Sequence, residues 1–349
     1  MLRLVCILVW LGGCAAENPG SPNDADLPDD PQDPSLDAID PGLAAAQCPA
    51  GTTNSNQKRT SNIAYAATHL TSNPAHYPFA PICLPITAAG QGFYVESNVI
   101  RGNCNVYDAC ETSLEIKCVN ANGIQLRPQL VSGENFLNGA ASSSLFARLM
   151  FISTSAGPVT CQAEFFNHDH GIVGGTVTVL AGSTFYASGP LAGAAATPDS
   201  GGGTHLTSAT PTAALKMITG WHMPTGKGRA DFIGDIQATE CHVPYPSHAS
   251  HAATQCTTSE SGADATVEYQ AVAVEEYPNG TTCHVTGGLA TTRSINSRTH
   301  HKMLYTQVVA DHTPGCANVW RFDIYTRWIR GRSFMVQSGP YGQGMVRSL

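Results

Sequence analysis

The chain has 349 residues, with 18 Lys and Arg against 26 Asp and Glu, a formal net charge of −8 and 12 cysteines. No run of basic residues supports an extended nucleic-acid surface. Charged residues make up only 13% of the chain, and together with the cysteines this points to an exported, disulfide-bonded β protein.

Arg3 is the one charge ahead of a short apolar run over residues 4–11. The run is too short to span a bilayer as a helix and has the shape of a secretory h-region. It ends in Leu11-Gly12-Gly13-Cys14, which resembles the bacterial lipobox, where the cysteine is lipidated and becomes the first mature residue. The resemblance implies a signal peptide over 1–14, a lipid anchor on Cys14 and, with Ala15 in second place, export to an outer membrane or cell surface. The other reading is a plain secretory signal cut after Ala16, which gives a secreted chain.

Residues 15–47 carry eight acidic side chains, no Lys or Arg, and interleaved prolines. So few apolar groups cannot offset the entropy of ordering, and a disordered tether is expected. It would reach roughly 30 Å as a coil and roughly 100 Å as an extended chain. The acidity of the protein resides in this segment, and the remainder is close to neutral.

The pentapeptide Thr-His-Leu-Thr-Ser occurs at 68–72 and again at 204–208. Cys104 follows Thr68 by 36 residues and Cys241 follows Thr204 by 37. Cys118 and Cys256 follow those cysteines at 14 and 15 residues, and Cys161 and Cys283 form a third matched pair. Two copies of one module are therefore expected: copy one over 48–195, a linker over 196–203, and copy two over 204–349. The near-equal spacing predicts local bridges Cys104–Cys118 and Cys241–Cys256. Cys283–Cys316 follows by exclusion, and Cys161 must pair with Cys48, Cys83 or Cys110.

The predicted elements are mostly strands. Residues 145–153 are apolar and β-rich, residues 155–158 turn the chain, and 159–166 return. Copy two is expected to repeat this hairpin with 267–274, the turn Pro278-Asn279-Gly280, and 281–285. Residues 176–180, 302–310 and 317–329 add strands. No stretch shows a long 3.6-residue apolar period, and the Ala-, Gly- and Pro-rich segment 189–203 reads as the connection between copies. The expected fold is all-β: two tandem, related, sandwich-like domains after a disordered tether.

Candidate chemistry is sparse. Asp199-Ser200-Gly201-Gly202 resembles the nucleophile segment of chymotrypsin-like proteases, with His69 and Asp108 upstream in matching order. Pro198 stands in place of the family's Gly and Leu70 in place of its Cys. The serine also falls in the expected linker, where no rigid base or oxyanion donors are available. His168 and His170 share a strand face, and His248 and His251 lie three apart near Cys256. These four are the candidate metal ligands, although no single segment supplies the three or four groups that zinc needs. No cofactor is expected, with zinc as the alternative. On the last long strand Trp320, Phe322, Ile324 and Trp328 share one face, leaving Arg321, Tyr325 and Arg327 on the other with Asp323. Such a basic-aromatic stripe can stack on sugar rings or pair with acidic groups. Two function classes follow. The first is a surface-tethered, non-catalytic module binding a glycan or envelope polymer, in contact with membrane only through its lipid. The second is an exported hydrolase, metal-assisted, whose active site the sequence does not reveal.

Intact-mass analysis of the protein made in a bacterial host should show a mature N-terminus at a lipidated Cys14. An unmodified chain beginning at Glu17 would favour the plain secretory signal.

Overall fold

A computed structural model describes residues 57–66, 75–104, 109–126, 131–137, 141–168, 175–198, 204–240, 264–295, 301–337 and 342–349. These form 21 strands and no helix. The first half holds β1 (Gln57–Lys58), β2 (Ile63–Ala66), β3 (Ile82–Ile86), β4 (Gly92–Gly102), β5 (Ala109–Asn120), β6 (Val131–Leu137), β7 (Ser143–Ile152), β8 (Gly157–His168), β9 (Thr176–Val179) and β10 (Thr184–Leu191). The second holds β11 (Ala195–Pro198), β12 (Thr204–Leu206), β13 (Thr212–His222), β14 (Arg229–Glu240), β15 (Ala265–Glu276), β16 (Thr282–Gly287), β17 (Thr291–Ile295), β18 (His301–Asp311), β19 (Val319–Arg330), β20 (Phe334–Gln337) and β21 (Gln343–Ser348).

Each half is a pair of antiparallel sheets. Sheet I runs β1-β10-β4-β9-β2 with β7 on the far side of β4, and sheet II runs β3-β8-β5-β6. Sheet III runs β11-β21-β14-β20-β12 with β18 on β14, and sheet IV runs β13-β19-β15-β16 with β17 also on β15. The two pairing schemes are the same. β4 takes β7, β9 and β10 as β14 takes β18, β20 and β21, while β8 takes β3 and β5 as β19 takes β13 and β15. Register agrees as well. Arg101 pairs with Val179 and Ala238 with Val336, and each stands three residues before the matched cysteine of its copy.

Strand alternation explains the layering. On β4, Phe93, Val95 and Val99 are buried against Leu84, Leu114, Ile116 and Phe165 of sheet II. In the second half Phe232 and Ile236 of β14 meet Trp320, Phe322 and Ile324 of β19. Each such aromatic or aliphatic side chain contributes about 1.5–3 kcal/mol by burial. Gly234 is required by the close approach of the sheets, since a Cβ there would stand 2.4 Å from Ile324 Cδ1.

Three expectations are corrected. The hairpin β7–β8 corresponds to β18–β19 rather than to β15–β16, so Cys161 on β8 and Cys283 on β16 are not equivalent. The Asn279-Gly280 turn is present, but it joins β15 to β16, and β15 is the counterpart of β5. Part of the expected linker is strand, because Ala195–Pro198 completes sheet III beside β21. The third correction is the bridge Cys104–Cys118. Cys118 faces Cys161 directly across β5 and β8 and is bonded to it. Cys104 lies just beyond β4, after the left-handed Asn103 (φ 55°), and bonds Cys110 at the start of β5. Cys283 is bonded to Cys316, and Cys83 is also disulfide-bonded. Cys241 and Cys256 lie outside the described residues. These bridges suit an oxidising compartment.

The halves pack sheet I on sheet III, so the layers run II, I, III, IV. Tyr94 and Met150 of the first half form one buried cluster with Ile233 and Met345 of the second. β7 runs across the strands of sheet III. Its outward residue Phe146 meets Tyr305 on β18, and Arg148 meets Asp235 on β14 and Gln343 on β21. Arg148 stands at the centre, 2.9 Å from Glu96 Oε2 through Nε and 2.9 Å from Asp235 Oδ1 through Nη1. The rings of Tyr305 and Phe146 cover its guanidinium at 5.1 and 5.6 Å.

Loop length sets the worth of each bridge. The Cys118–Cys161 separation is 43 residues and that of Cys104–Cys110 is 6, giving roughly 4 and roughly 2 kcal/mol from chain entropy. Paired Cys→Ala replacement should therefore lower urea-unfolding stability about twice as much at 118/161 as at 104/110.

Candidate functional site

The two outermost sheet faces differ. On sheet II the outward residues Glu115, Lys117, Gln162 and Glu164 are closed to solvent, none more than 4% exposed. Lys117 Nζ lies 2.8 Å from Glu164 Oε2 and 4.0 Å from Glu115 Oε2. On sheet IV the corresponding face is partly open, exposed along β13 and half-buried at Tyr325 and Arg327 with Asp323 buried, and it carries the sequence-predicted stripe.

That face is built from three rungs. Lys216 on β13, Asp323 on β19 and Val272 on β15 form the first. Ala214, Tyr325 and Gln270 form the second, and Thr212, Arg327 and Glu268 the third. Directly opposed residues point to the same side of an antiparallel sheet, so the rungs make one continuous surface. Tyr325 is central and half-buried. Its neighbour Ala214 is small and exposed, which leaves the ring accessible from the β13 side.

The charges are fixed in pairs. Arg321 reaches Asp323 Oδ2 at 2.9 Å through Nε and Glu276 Oε1 at 3.2 Å through Nη1. Arg327 Nη2 lies 2.8 Å from Glu268 Oε1. Gln270 donates through Nε2 to the Gly288 carbonyl at 2.7 Å. Burial raises Asp323 above the usual carboxylate range, with Arg321 pulling it back. Burial, with the nearby Asp323 charge, also raises the Tyr325 hydroxyl, which stays a neutral donor.

The structure thus brings Arg321, Tyr325 and Arg327 onto one face as the alternation of residues 319–330 implies, with Trp320, Phe322 and Ile324 in the core behind them. Trp328 is only partly buried, and its Nε1 donates to the Arg332 carbonyl at 3.1 Å. Sequence reasoning missed Lys216, Glu268, Gln270 and Glu276. The alternation of Glu268 and Gln270 with buried Val267, Tyr269 and Ala271 is the signal that could have found the β15 members.

The other candidates are not brought together. His168 ends β8, opposite Glu111. His170, His248 and His251 lie outside the described residues, as do His69, Asp108, Ser200 and Cys14. Among the described residues no group of three or more His, Cys, Asp or Glu could hold a metal ion. Glu275, fully buried, accepts from the Thr313 amide at 2.9 Å and contacts His312 Nδ1. It closes the β18–β19 turn.

No family model matches the chain, and no curated protein is similar to it. Among solved structures it is similar to the N-terminal CBM22-1–CBM22-2 tandem domain of Paenibacillus barcinonensis Xyn10C, at 10% identity and a TM-score of 0.23, over 86% of this chain and 95% of that one. It is similar to a structure of the infectious bursal disease virus Gt strain at 10% identity and a TM-score of 0.28, over 90% and 77%. A putative secreted protein from Parabacteroides distasonis matches at 8% identity and a TM-score of 0.18, over 84% and 91%. At these scores the likenesses assign no ligand to this chain.

Arg321→Ala would leave Asp323 in a closed setting without its main counter-charge. Urea unfolding at pH 7 should show a loss of about 1–3 kcal/mol. The loss should shrink towards pH 4, because protonated Asp323 no longer needs the guanidinium.

Proposed function

We propose that this chain is an exported, non-catalytic module, held at a cell surface by lipid on Cys14, that binds a glycan or envelope polymer on the outer face of sheet IV. The observation that carries the reading is the setting of Tyr325. Its half-buried ring lies between the ion pairs of Arg321 with Asp323 and Arg327 with Glu268, on a rung with Ala214 and Gln270. A pyranose ring offers an apolar face for stacking and equatorial hydroxyls for planar donors and acceptors. Guanidinium and carboxylate groups already paired with each other lose little side-chain entropy when a sugar bridges them. The rungs form a surface rather than a cleft, which suits a polymer better than a small molecule. Among the described residues of the face, none pairs a nucleophile with an oriented base.

The test is a glycan array that includes bacterial envelope polysaccharides, followed by calorimetry on the best ligand. Tyr325→Ala should weaken that ligand about tenfold or more, equivalent to about 1.4 kcal/mol, with the melting temperature nearly unchanged. Absence of any glycan binding, or equal affinity of the variant, would remove this reading.

A further inference from the structure

The geometry points to a proton-linked joint: closing sheet I on sheet III takes up a proton at the Asp235 carboxyl, so the two sandwiches are held together more firmly in mildly acidic solution than at neutral pH. The argument begins with a charge count. Arg148 is shared by two carboxylates, Glu96 of the first half and Asp235 of the second. Closure therefore gathers two negative charges around one positive charge, and cuts the Asp235 carboxylate off from water. The Asp235 side chain has no exposure, whereas that of Glu96 retains 13%.

The surroundings decide which acid takes the proton. Glu96 has further donors on its own half, with the Tyr94 hydroxyl at 2.5 Å and the Tyr186 hydroxyl from β10. Asp235 receives Arg148 on Oδ1 alone, and its Oδ2 is buried with no hydrogen-bond partner. The neighbouring charges on sheet III cannot help. Arg347 on β21 is spent on Asp231, at 2.9 Å, and Gln307 on β18 also donates to Asp231. Gln343 on β21 donates to the Arg148 carbonyl at 2.6 Å. Tyr305 on β18 uses its hydroxyl on the backbone of Phe146, and burial keeps that hydroxyl protonated.

The direction of the linkage follows. Burial pushes Asp235 up to about 6 from an ordinary 3.8, Arg148 offsetting only part of the effect and Glu96 adding to it. Opened to water, the carboxyl returns towards its ordinary range. The closed joint then binds the extra proton between about pH 4 and pH 6, so the preference for closure is greatest below that window and is lost as pH rises through it. The same linkage makes the closing constant about tenfold larger at pH 5 than at pH 7.5. Residues 192–194, between β10 and β11, are the connection about which such opening would turn.

One amide reports on the joint. The Phe146 N–H on edge strand β7 donates to Tyr305 Oη at 3.1 Å across the boundary, so its hydrogen exchange requires opening. In the full chain, its NMR-measured protection factor, corrected for the intrinsic pH dependence of exchange, should be about tenfold higher at pH 5 than at pH 7.5. Asp235→Asn should abolish the difference. Glu96→Gln, which restores one acid per guanidinium, should shrink it and serves as the second variant if Asp235→Asn fails to fold. The Asp235 carboxyl carbon should titrate near pH 6 in the wild type. Equal protection at the two pH values, an Asp235 titration in the ordinary carboxylate range, or a tenfold difference that persists in either variant would overturn the proposal.

Discussion

A single guanidinium fixes how the two sandwiches of this molecule are oriented on one another. Arg148 enters the boundary between the sandwiches from the middle of an apolar strand, and the boundary is organised around it. Phe146 and Tyr305 sheathe it, Gln343 secures its backbone carbonyl, and Glu96 and Asp235 take its donors from opposite sides. Burial works against its charge, yet Asp235, Tyr94 and Glu96 keep it more firmly protonated than a free arginine. Buried ion pairs contribute little net stability against a well-packed apolar alternative, but removing one partner is costly. The contribution here is to orientation. An apolar patch such as Tyr94, Met150, Ile233 and Met345 would tolerate sliding, whereas a guanidinium with fixed partners does not.

Much of the architecture was legible in the sequence because it rests on local chemistry. Alternation along residues 319–330 placed Trp320, Phe322 and Ile324 inside and Arg321, Tyr325 and Arg327 outside, and the matched cysteines after β4 and β14 pointed to the duplication. The pentapeptide was a poorer guide: residues 68–72 lie outside the described residues, and the registers set Ile63, not Thr68, at the place equivalent to Thr204. What failed was pairing between distant segments. The Asn-Gly turn after β15 is a real hairpin turn, yet nothing local says that β15 is the counterpart of β5 rather than of β7. Equal spacing of Cys104–Cys118 and Cys241–Cys256 suggested closed loops. Cys118 instead lies within a strand, where its neighbour is set by the register with β8. Arg148 was equally opaque, since within Leu-Phe-Ala-Arg-Leu-Met it reads as an interruption and its partner Asp235 lies in the other copy.

The same distinction separates the two outer faces. Sheets II and IV descend from one plan, but the first closes its charged residues away from water while the second leaves Tyr325 and the Arg327–Glu268 pair partly open and closes Asp323 beneath Arg321. Position on equivalent strands therefore did not transmit exposure. The candidate site was readable as a stripe on β19, and its width, contributed by Lys216 and Thr212 on one side and Glu268 and Gln270 on the other, required the sheet order.

The register also bears on how many sandwiches could be strung together. Where sheet III presents Ile233, Asp235 and Tyr305 to the boundary, the equivalent places of sheet I hold Glu96, Asn98 and Phe146. A second copy of the first half, laid on the same face, would offer Arg148 an amide in place of a carboxylate. It would also bury another glutamate and lose the hydroxyl that grips the Phe146 backbone. The duplicated modules have become plug and socket, and a socket already filled leaves no plug facing outward. Duplication, which in other repeat proteins opens the way to long solenoids, here ends in a terminated pair. Lengthening the array would need a new contact on sheet II or sheet IV rather than another turn of the old one.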